Sequence, residues 1–366
     1  MNETADILII GGGIAGAGAA ARMARDANVI VLEMEDALGR HATGRSAAIY
    51  IRNYGNETLR ALNAMSEPVL ENPEGISDES LLTPRGEMLI AREDELDSFQ
   101  AYLKGADGME QLTPDEAVAL FPLLRRAPIA AAAIERDARD IDVDRLLQGF
   151  ARLARRHGAR FITDAHAQRI TKTGDIWRIE TPKGHFEAPI IVNAAGAWAD
   201  VVASRADVAE IGLVPMRRSA AILPAPTGID VSTWPLVASA SEAWYAKPDA
   251  GKLMVSPADE DPVEPHDAWP DDMVLAEGLH RFEQAVTMPV TRVERSWAGL
   301  RSFVADRTPA VGFASDREGF FWLAGQGGYG VQTAPALSQL AADLCLDRTP
   351  ALPDEIIKAL DPARLA

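Results

Sequence analysis

The residues best suited to chemistry stand at the two ends of the chain. Near the start, Gly11-Gly12-Gly13-Ile14-Ala15-Gly16 follows the apolar run Ile7–Ile10, and Glu33 closes the next apolar run, Val29–Leu32. G-x-G-x-x-G between strand and helix, with an acid about twenty residues on, predicts a dinucleotide-binding turn. Gly11 permits the tight bend, Gly13 lets backbone approach a pyrophosphate, and Gly16 lets the helix pack closely on the strand. The helix amides around Ile14 and Ala15, with the macrodipole, then hold phosphate. Glu33 should accept hydrogen bonds from ribose hydroxyls, and its charge disfavours the 2′-phosphate of NADP.

Far along the chain, Gln326-Gly327-Gly328-Tyr329-Gly330 follows the apolar run Phe320–Ala324 and precedes a helix-like stretch, 331–346. A nicotinamide enzyme seldom needs a second glycine turn there. A flavin held for chemistry needs backbone donors around its ring, and a helix N-terminus would stabilise negative charge on it when reduced.

The elements that must position these turns are legible in outline. Residues 7–33 read as strand, turn, helix, strand, and uninterrupted Ile, Leu and Val suit strands of a parallel sheet buried on both faces. Helices are predicted over 56–71, from the capping box Thr113-Pro114-Asp115-Glu116 to about Phe121, over 143–157 behind Asp142, and over 271–286. Strands are predicted over 159–163, 166–172 and 176–181, and Ile190–Val192 leads to Asn193–Trp198, a second strand-to-glycine passage that returns the chain to the first sheet. From Leu213 to Pro262, prolines, β-branched residues and aromatics predict a second, antiparallel sheet, with Lys247–Gly251 as a turn between strands. The fold class is α/β, α+β overall: a Rossmann-like domain on a parallel sheet and a second domain on an antiparallel one.

Composition narrows the chemistry. With 54 acidic against 36 basic residues, the chain carries a formal charge of −18, which repels nucleic acid and anionic lipid. Its single cysteine, Cys345, forms no internal disulfide, and the six histidines lack metal-ligand spacing, so no metal is expected. No basic leader or apolar run of membrane-spanning length is seen, so a soluble cytoplasmic protein without a transmembrane segment is expected.

At His41-Ala42-Thr43-Gly44-Arg45-Ser46-Ala47-Ala48 the sequence resembles the D-amino-acid oxidase and dehydrogenase superfamily of FAD enzymes, and within it most the D-arginine dehydrogenases. The likeness runs through Thr83–Met88, Asn193–Trp198, Arg217–Ala220, Tyr245–Gly251, Trp297–Phe303 and Gln326–Gly330. The resemblance implies a D-amino-acid-oxidase-like fold with a discontinuous FAD domain (1–80, 142–210 and 296–366) and a substrate domain (81–141 and 211–295). It implies noncovalent FAD, since the only cysteine lies in the C-terminal helix-like stretch. Thr43, Gly44, Arg45, Ser46 and Ala47 would lie along pyrophosphate and flavin. Ala195, Gly196, Trp198, Gly327, Gly328, Tyr329, Gly330, Val331 and Gln332 would complete the cofactor site.

By the same resemblance, Arg218 and Arg301 clamp a substrate carboxylate, with Arg217 an alternative to Arg218. Tyr54 and Tyr245 add hydroxyls, Gly328 borders the substrate, and Glu87 pairs with a cationic side chain. Guanidinium suits that clamp, because it presents paired donors and keeps its charge. Where the D-arginine enzymes have a histidine and a threonine, this chain has Ile49 and Ile51, so we expect a more apolar pocket shifted toward hydrophobic D-amino acids. The implied reaction is oxidative deamination: hydride leaves Cα for flavin N5, and the imino acid hydrolyses to 2-oxo acid and ammonia. No general base is evident. If the free amine binds, rate should rise with pH as the substrate ammonium is lost. The resemblance points to a dehydrogenase with a quinone-like electron acceptor, and the sequence leaves oxygen open as the alternative. Two readings stand beside this one: a related enzyme acting on glycine, sarcosine or a 2-hydroxy acid, and a non-catalytic dinucleotide-binding module.

Overall fold

The computed structural model describes residues 2–365. At its centre, a six-stranded sheet runs in the order Arg160–Ile162, Val29–Leu32, Ile7–Ile10, Ile190–Asn193, Phe320–Ala324, Ala310–Phe313, parallel except at the last strand. Its apolar strands are buried along their whole length because both faces are covered. On one face lie the helices Ile14–Met23, Val143–Arg156 and Gly330–Cys345. On the other lies a four-stranded sheet that includes Arg169–Thr173, Ile176–Thr181 and Gly184–Ala188. The alanine and glycine content of the first helix follows from close packing: a Cβ on Gly18 would stand 2.1 Å from Ser338 Oγ of the last long helix.

The predicted helices form. Asn56, Thr113, Asp142 and Asp271 each accept a backbone N–H at the start of Glu57–Glu71, Pro114–Leu120, Val143–Arg156 and Asp272–Ala285. Ile190–Asn193 pairs with Ile7–Ile10 and so returns the chain to the first sheet. The turn expected at Lys247–Gly251 is shorter. Lys247, Pro248 and Asp249 belong to the strand Tyr245–Asp249, and only Ala250 and Gly251, both at positive φ, make the bend to Lys252–Ser256. Positive φ at both positions is what a type I′ two-residue loop requires.

The second large sheet has nine strands and is not wholly antiparallel. Leu236–Ser239 pairs in parallel with Glu87–Ala91, which continues to Ala131–Glu135 and Met109–Leu112. On the opposite side, Val214–Leu223 pairs with both Lys252–Ser256 and Arg295–Phe303.

Strand register then decides which side chains meet, because alternate residues face the same side. Tyr245 stands opposite Ala238, and Leu236, two residues earlier on that strand, stands opposite Glu87, itself opposite Glu135. In the other direction Tyr245 stands opposite Ser256, which is level with Ala220. Arg218 faces the same way two residues on, and Met216 stands opposite Arg301. One face of one sheet therefore carries Arg301, Arg218, Tyr245, Glu87 and Glu135. The other face is apolar and packs on Asp272–Ala285 through Leu275, Leu279 and Phe282.

Candidate active site

Between the two large sheets lies a cleft of about 1700 Å³ of atom-free space, partly open to solvent. Gly11, Gly13, Ile14, Ala15, Glu33, Thr43, Arg45, Ser46, Ala47, Ala195, Gly196, Trp198, Gly327, Gly328, Gly330 and Val331 line it, as expected, together with Arg218, Tyr245 and Arg301. Arg217 does not line it. That side chain turns away from Arg218 and pairs with Asp261 at 2.8 Å.

Two helix N-termini open into this cleft. At the first, Ile14 N–H donates to Thr43 Oγ1 at 3.0 Å, and the first intrahelical acceptor, Gly13 O, serves Ala17, so the amides of Ala15 and Gly16 have no helical acceptor. At the second, Tyr329 O serves Thr333, leaving the amides of Gly330, Val331 and Gln332 in the same state. Glu33 Oε2 accepts from Gly12 N–H at 2.7 Å and Oε1 from Glu35 N–H at 2.9 Å. Burial raises its pKa against those two bonds, and its remaining lone pairs can take ribose hydroxyls. A long cleft with an amide cradle at each end and a carboxylate beyond the first fits FAD.

Several expected contacts lie behind the cleft wall instead. Gly16 is a packing residue, since a Cβ there would stand 1.9 Å from Gly11 O. Gly44 closes a turn by donating its N–H to Gly39 O at 2.8 Å. Neither Ile49 nor Ile51 reaches the cleft: Ile49 pairs with Asp140 in a small sheet, and Ile51 is buried. The expectation that these two residues make the pocket apolar is therefore corrected. Gln332 also points elsewhere, accepting from Ile51 N–H at 3.0 Å and donating to Ile51 O at 3.3 Å. It fixes the segment that carries Tyr54. Tyr329 stacks on Tyr54 with ring centroids 4.6 Å apart.

Tyr54 lies just behind the lining and its hydroxyl accepts from Arg301 Nη1 at 3.3 Å. Burial disfavours charge on Arg301, but the Tyr54 and Tyr245 oxygens outweigh it and hold its pKa above the usual value. Burial would raise Tyr245, yet the Arg301 and Arg218 guanidiniums lower it. These opposed effects place Arg218, Tyr245 and Arg301 in one electrostatic unit.

Glu87 is buried on the same sheet face behind the cleft lining, of which it is not a part, and its Oε2 has no partner among the described residues. Burial first, then Glu135 and Glu242, pushes its pKa up to about 8. The buried Tyr102 hydroxyl, on the helix Leu96–Leu103, is likewise unpartnered and feels the field of Glu87, Glu135 and Tyr54. Sequence reasoning did not find Tyr102 or Glu135: strand register brings Glu135 opposite Glu87, and Tyr102 comes from a helix packed on the Glu87 strand. Glu135 accepts from Arg52 N–H at 2.6 Å, Asn53 N–H at 3.2 Å and Asn53 Nδ2 at 2.6 Å, so it anchors the residues immediately before Tyr54.

Arg45 lines the cleft while its guanidinium is spent on structure: it donates to Ala268 O at 2.9 Å and Ala298 O at 3.0 Å and pairs with Asp267. Trp198 packs against His41 with centroids 4.7 Å apart. Cys345 is buried in its helix, away from the cleft. Among the described residues no cluster could hold a metal ion, and no helix is long and apolar enough to cross a membrane.

Comparisons with known proteins place the chain in a family. A protein-family model described as FAD dependent oxidoreductase matches residues 6–344. Glycine oxidase of Geobacillus kaustophilus (strain HTA426) is 24% identical over 365 residues, covering 94% of this chain and 93% of that one. A crystal structure of glycine oxidase from that species superposes with TM-score 0.83 at 23% identity, over 96% of this chain and 97% of the other. FAD-dependent oxidoreductase domain-containing protein 1 of Xenopus laevis is 24% identical over 409 residues, 94% of this chain and 80% of that protein. L-proline dehydrogenase from P. horikoshii shares the fold with TM-score 0.85 at 23% identity, over 100% and 98% of the two chains. The chain belongs to the FAD-dependent oxidoreductase (DAO) family, and its cofactor is FAD.

Proposed function

We propose that the protein catalyses the oxidative deamination of D-amino acids, with basic side chains preferred. The observation that carries this reading is one sheet face with opposite chemical poles. Arg301, with the Tyr54 and Tyr245 hydroxyls beside it, suits a carboxylate, and the unpartnered Glu87 suits the far end of a side chain. A buried acceptor without a partner is costly, and a ligand that supplies a donor relieves it.

FAD, when bound, supplies the two-electron acceptor and is held without a covalent bond. The work of the chain's own residues is to bind and orient. Arg301 and Arg218 fix the α-carboxylate, Tyr245 and Tyr54 cover it, and the amine enters as the free base. We assign no general base among the described residues of the cleft, so orientation and electrostatics carry the rate in this reading. The two-domain division given above is part of the same proposal, except that Arg295–Phe303 pairs along its length with Val214–Leu223 and so goes with the second sheet rather than the FAD domain; a quinone-like acceptor is proposed with it.

The reading is tested by incubating the holoenzyme with an artificial acceptor and matched D- and L-arginine, lysine, methionine, leucine and phenylalanine, with glycine and sarcosine beside them. Ammonia and the matching 2-oxo acid should form from the D-isomers. Turnover confined to glycine and sarcosine, or to L-isomers, would replace the proposal.

A further inference from the structure

We propose that Glu260 sets the carboxylate affinity of this site by competing with the substrate's α-carboxylate for Arg218. The inference rests on the reading above, in which Arg218 and Arg301 receive that carboxylate. Arg218 lines the cleft and is only 8% exposed. Its Nε donates to Asp259 O at 2.8 Å and its Nη2 to Glu260 Oε1 at 2.9 Å. The same carboxylate is gripped from outside by Arg307, whose Nη2 donates to Oε1 at 2.9 Å and to Oε2 at 3.0 Å. Arg301, by contrast, bonds only the neutral Tyr54 hydroxyl among the described residues.

The two arginines of the clamp are therefore unequal. Arg301 offers its charge freely, while one edge of Arg218 is spent on a backbone carbonyl and an internal carboxylate. A guanidinium grips a carboxylate best through two parallel donors. A substrate that uses the Nε–Nη2 edge must displace Glu260, and one that uses the Nη1 side sets two carboxylates on one cation. In either arrangement Glu260 opposes the incoming anion. Glu260 is ionised for this role, since Arg307 and Arg218 outweigh burial and hold its pKa below the ordinary value. Arg307 is anchored over the Phe303 ring at 3.8 Å and so gives Glu260 a place to remain when it leaves Arg218.

The test uses two variants with opposite expected signs. Glu260→Gln removes the competitor, and Arg307→Gln leaves Glu260 to Arg218 alone. On the holoenzyme, KM and kcat are measured with D-methionine, and Kd for propionate is read from perturbation of the flavin spectrum. Propionamide serves as the uncharged control. Glu260→Gln should lower KM and the propionate Kd by about tenfold, the range of a charge-assisted hydrogen bond, with little change in kcat. Arg307→Gln should raise both by about threefold, as suits a half-exposed pair. Propionamide binding should not move. Both variants shifting in the same direction, or Glu260→Gln leaving KM and Kd unchanged or higher, would overturn the inference by making Glu260 a mere support. If no amino acid is turned over by the parent enzyme, the proposed function fails, while the propionate titration still decides the role of Glu260.

Discussion

The carboxyl of Glu87 offers a pH signature that few alternative arrangements would reproduce. Its pKa stands at about 8 in the free protein, because burial and the neighbouring Glu135 and Glu242 disfavour its charge. Below that pH the group is neutral, so a cationic side chain that needs the carboxylate must expel a proton on binding. Above it the group is already charged. The ionised fraction climbs from about one tenth at pH 7 to about nine tenths at pH 9, worth roughly 1.4 kcal/mol per pH unit below the pKa. D-arginine keeps its side-chain charge throughout, and D-methionine has none. Loss of the α-ammonium proton raises kcat/KM for both substrates and cancels in their ratio. The ratio of D-arginine to D-methionine kcat/KM should therefore rise about tenfold between pH 7 and pH 9, and Glu87→Gln should flatten it. A ratio constant within about twofold across that range, or a rise that survives in Glu87→Gln, would refute the placement of Glu87 at the side-chain end of the site.

Three substitutions probe other parts of the account. Arg301→Met should retain FAD and lose about 2–5 kcal/mol of transition-state stabilisation, read as kcat/KM, because it strips the cation from a buried charge pair. Gln332→Leu removes both bonds to the Ile51 backbone, each worth about 1–3 kcal/mol when its buried partner is left unpaired. The segment bearing Tyr54 should loosen, raising KM more than it lowers kcat and reducing the melting temperature. Gly16→Ala would drive a methyl group to 1.9 Å from Gly11 O. Roughly 3 kcal/mol of destabilisation and loss of FAD on desalting are expected, visible in the melting temperature and in bound flavin per chain.

What the sequence made legible follows from how local each signal is. The G-x-G-x-x-G turn and the helix caps depend on neighbours a few residues away, and Glu33 on a single strand-helix-strand unit that brings it to Gly12 across 21 residues; all appear where expected. The chemistry of Glu87 does not. Its partner Glu135 is brought close only by an antiparallel register 48 residues long in sequence, and Leu236 only by a parallel pairing across a far greater span. The strand Ala131–Glu135 also carries alanines, which have weak strand preference, so tertiary pairing rather than local propensity forms it. Ile49 and Ile51 mark the opposite limit. Their positions beside the glycine-arginine motif were legible, but the inward turn of Ile51 is set by Gln332, 281 residues away. The division of labour between Arg217 and Arg218 was likewise hidden until strand alternation assigned one to each face.

Anaerobic mixing of the yellow holoenzyme with single amino acids tests the central claim most directly, because it isolates reduction of the flavin from any choice of electron acceptor. The account predicts that D-arginine and D-methionine bleach the flavin spectrum while their L-isomers leave it unchanged. Flavin that stays oxidised with every amino acid, or that L-isomers reduce as fast as D-isomers, would contradict it.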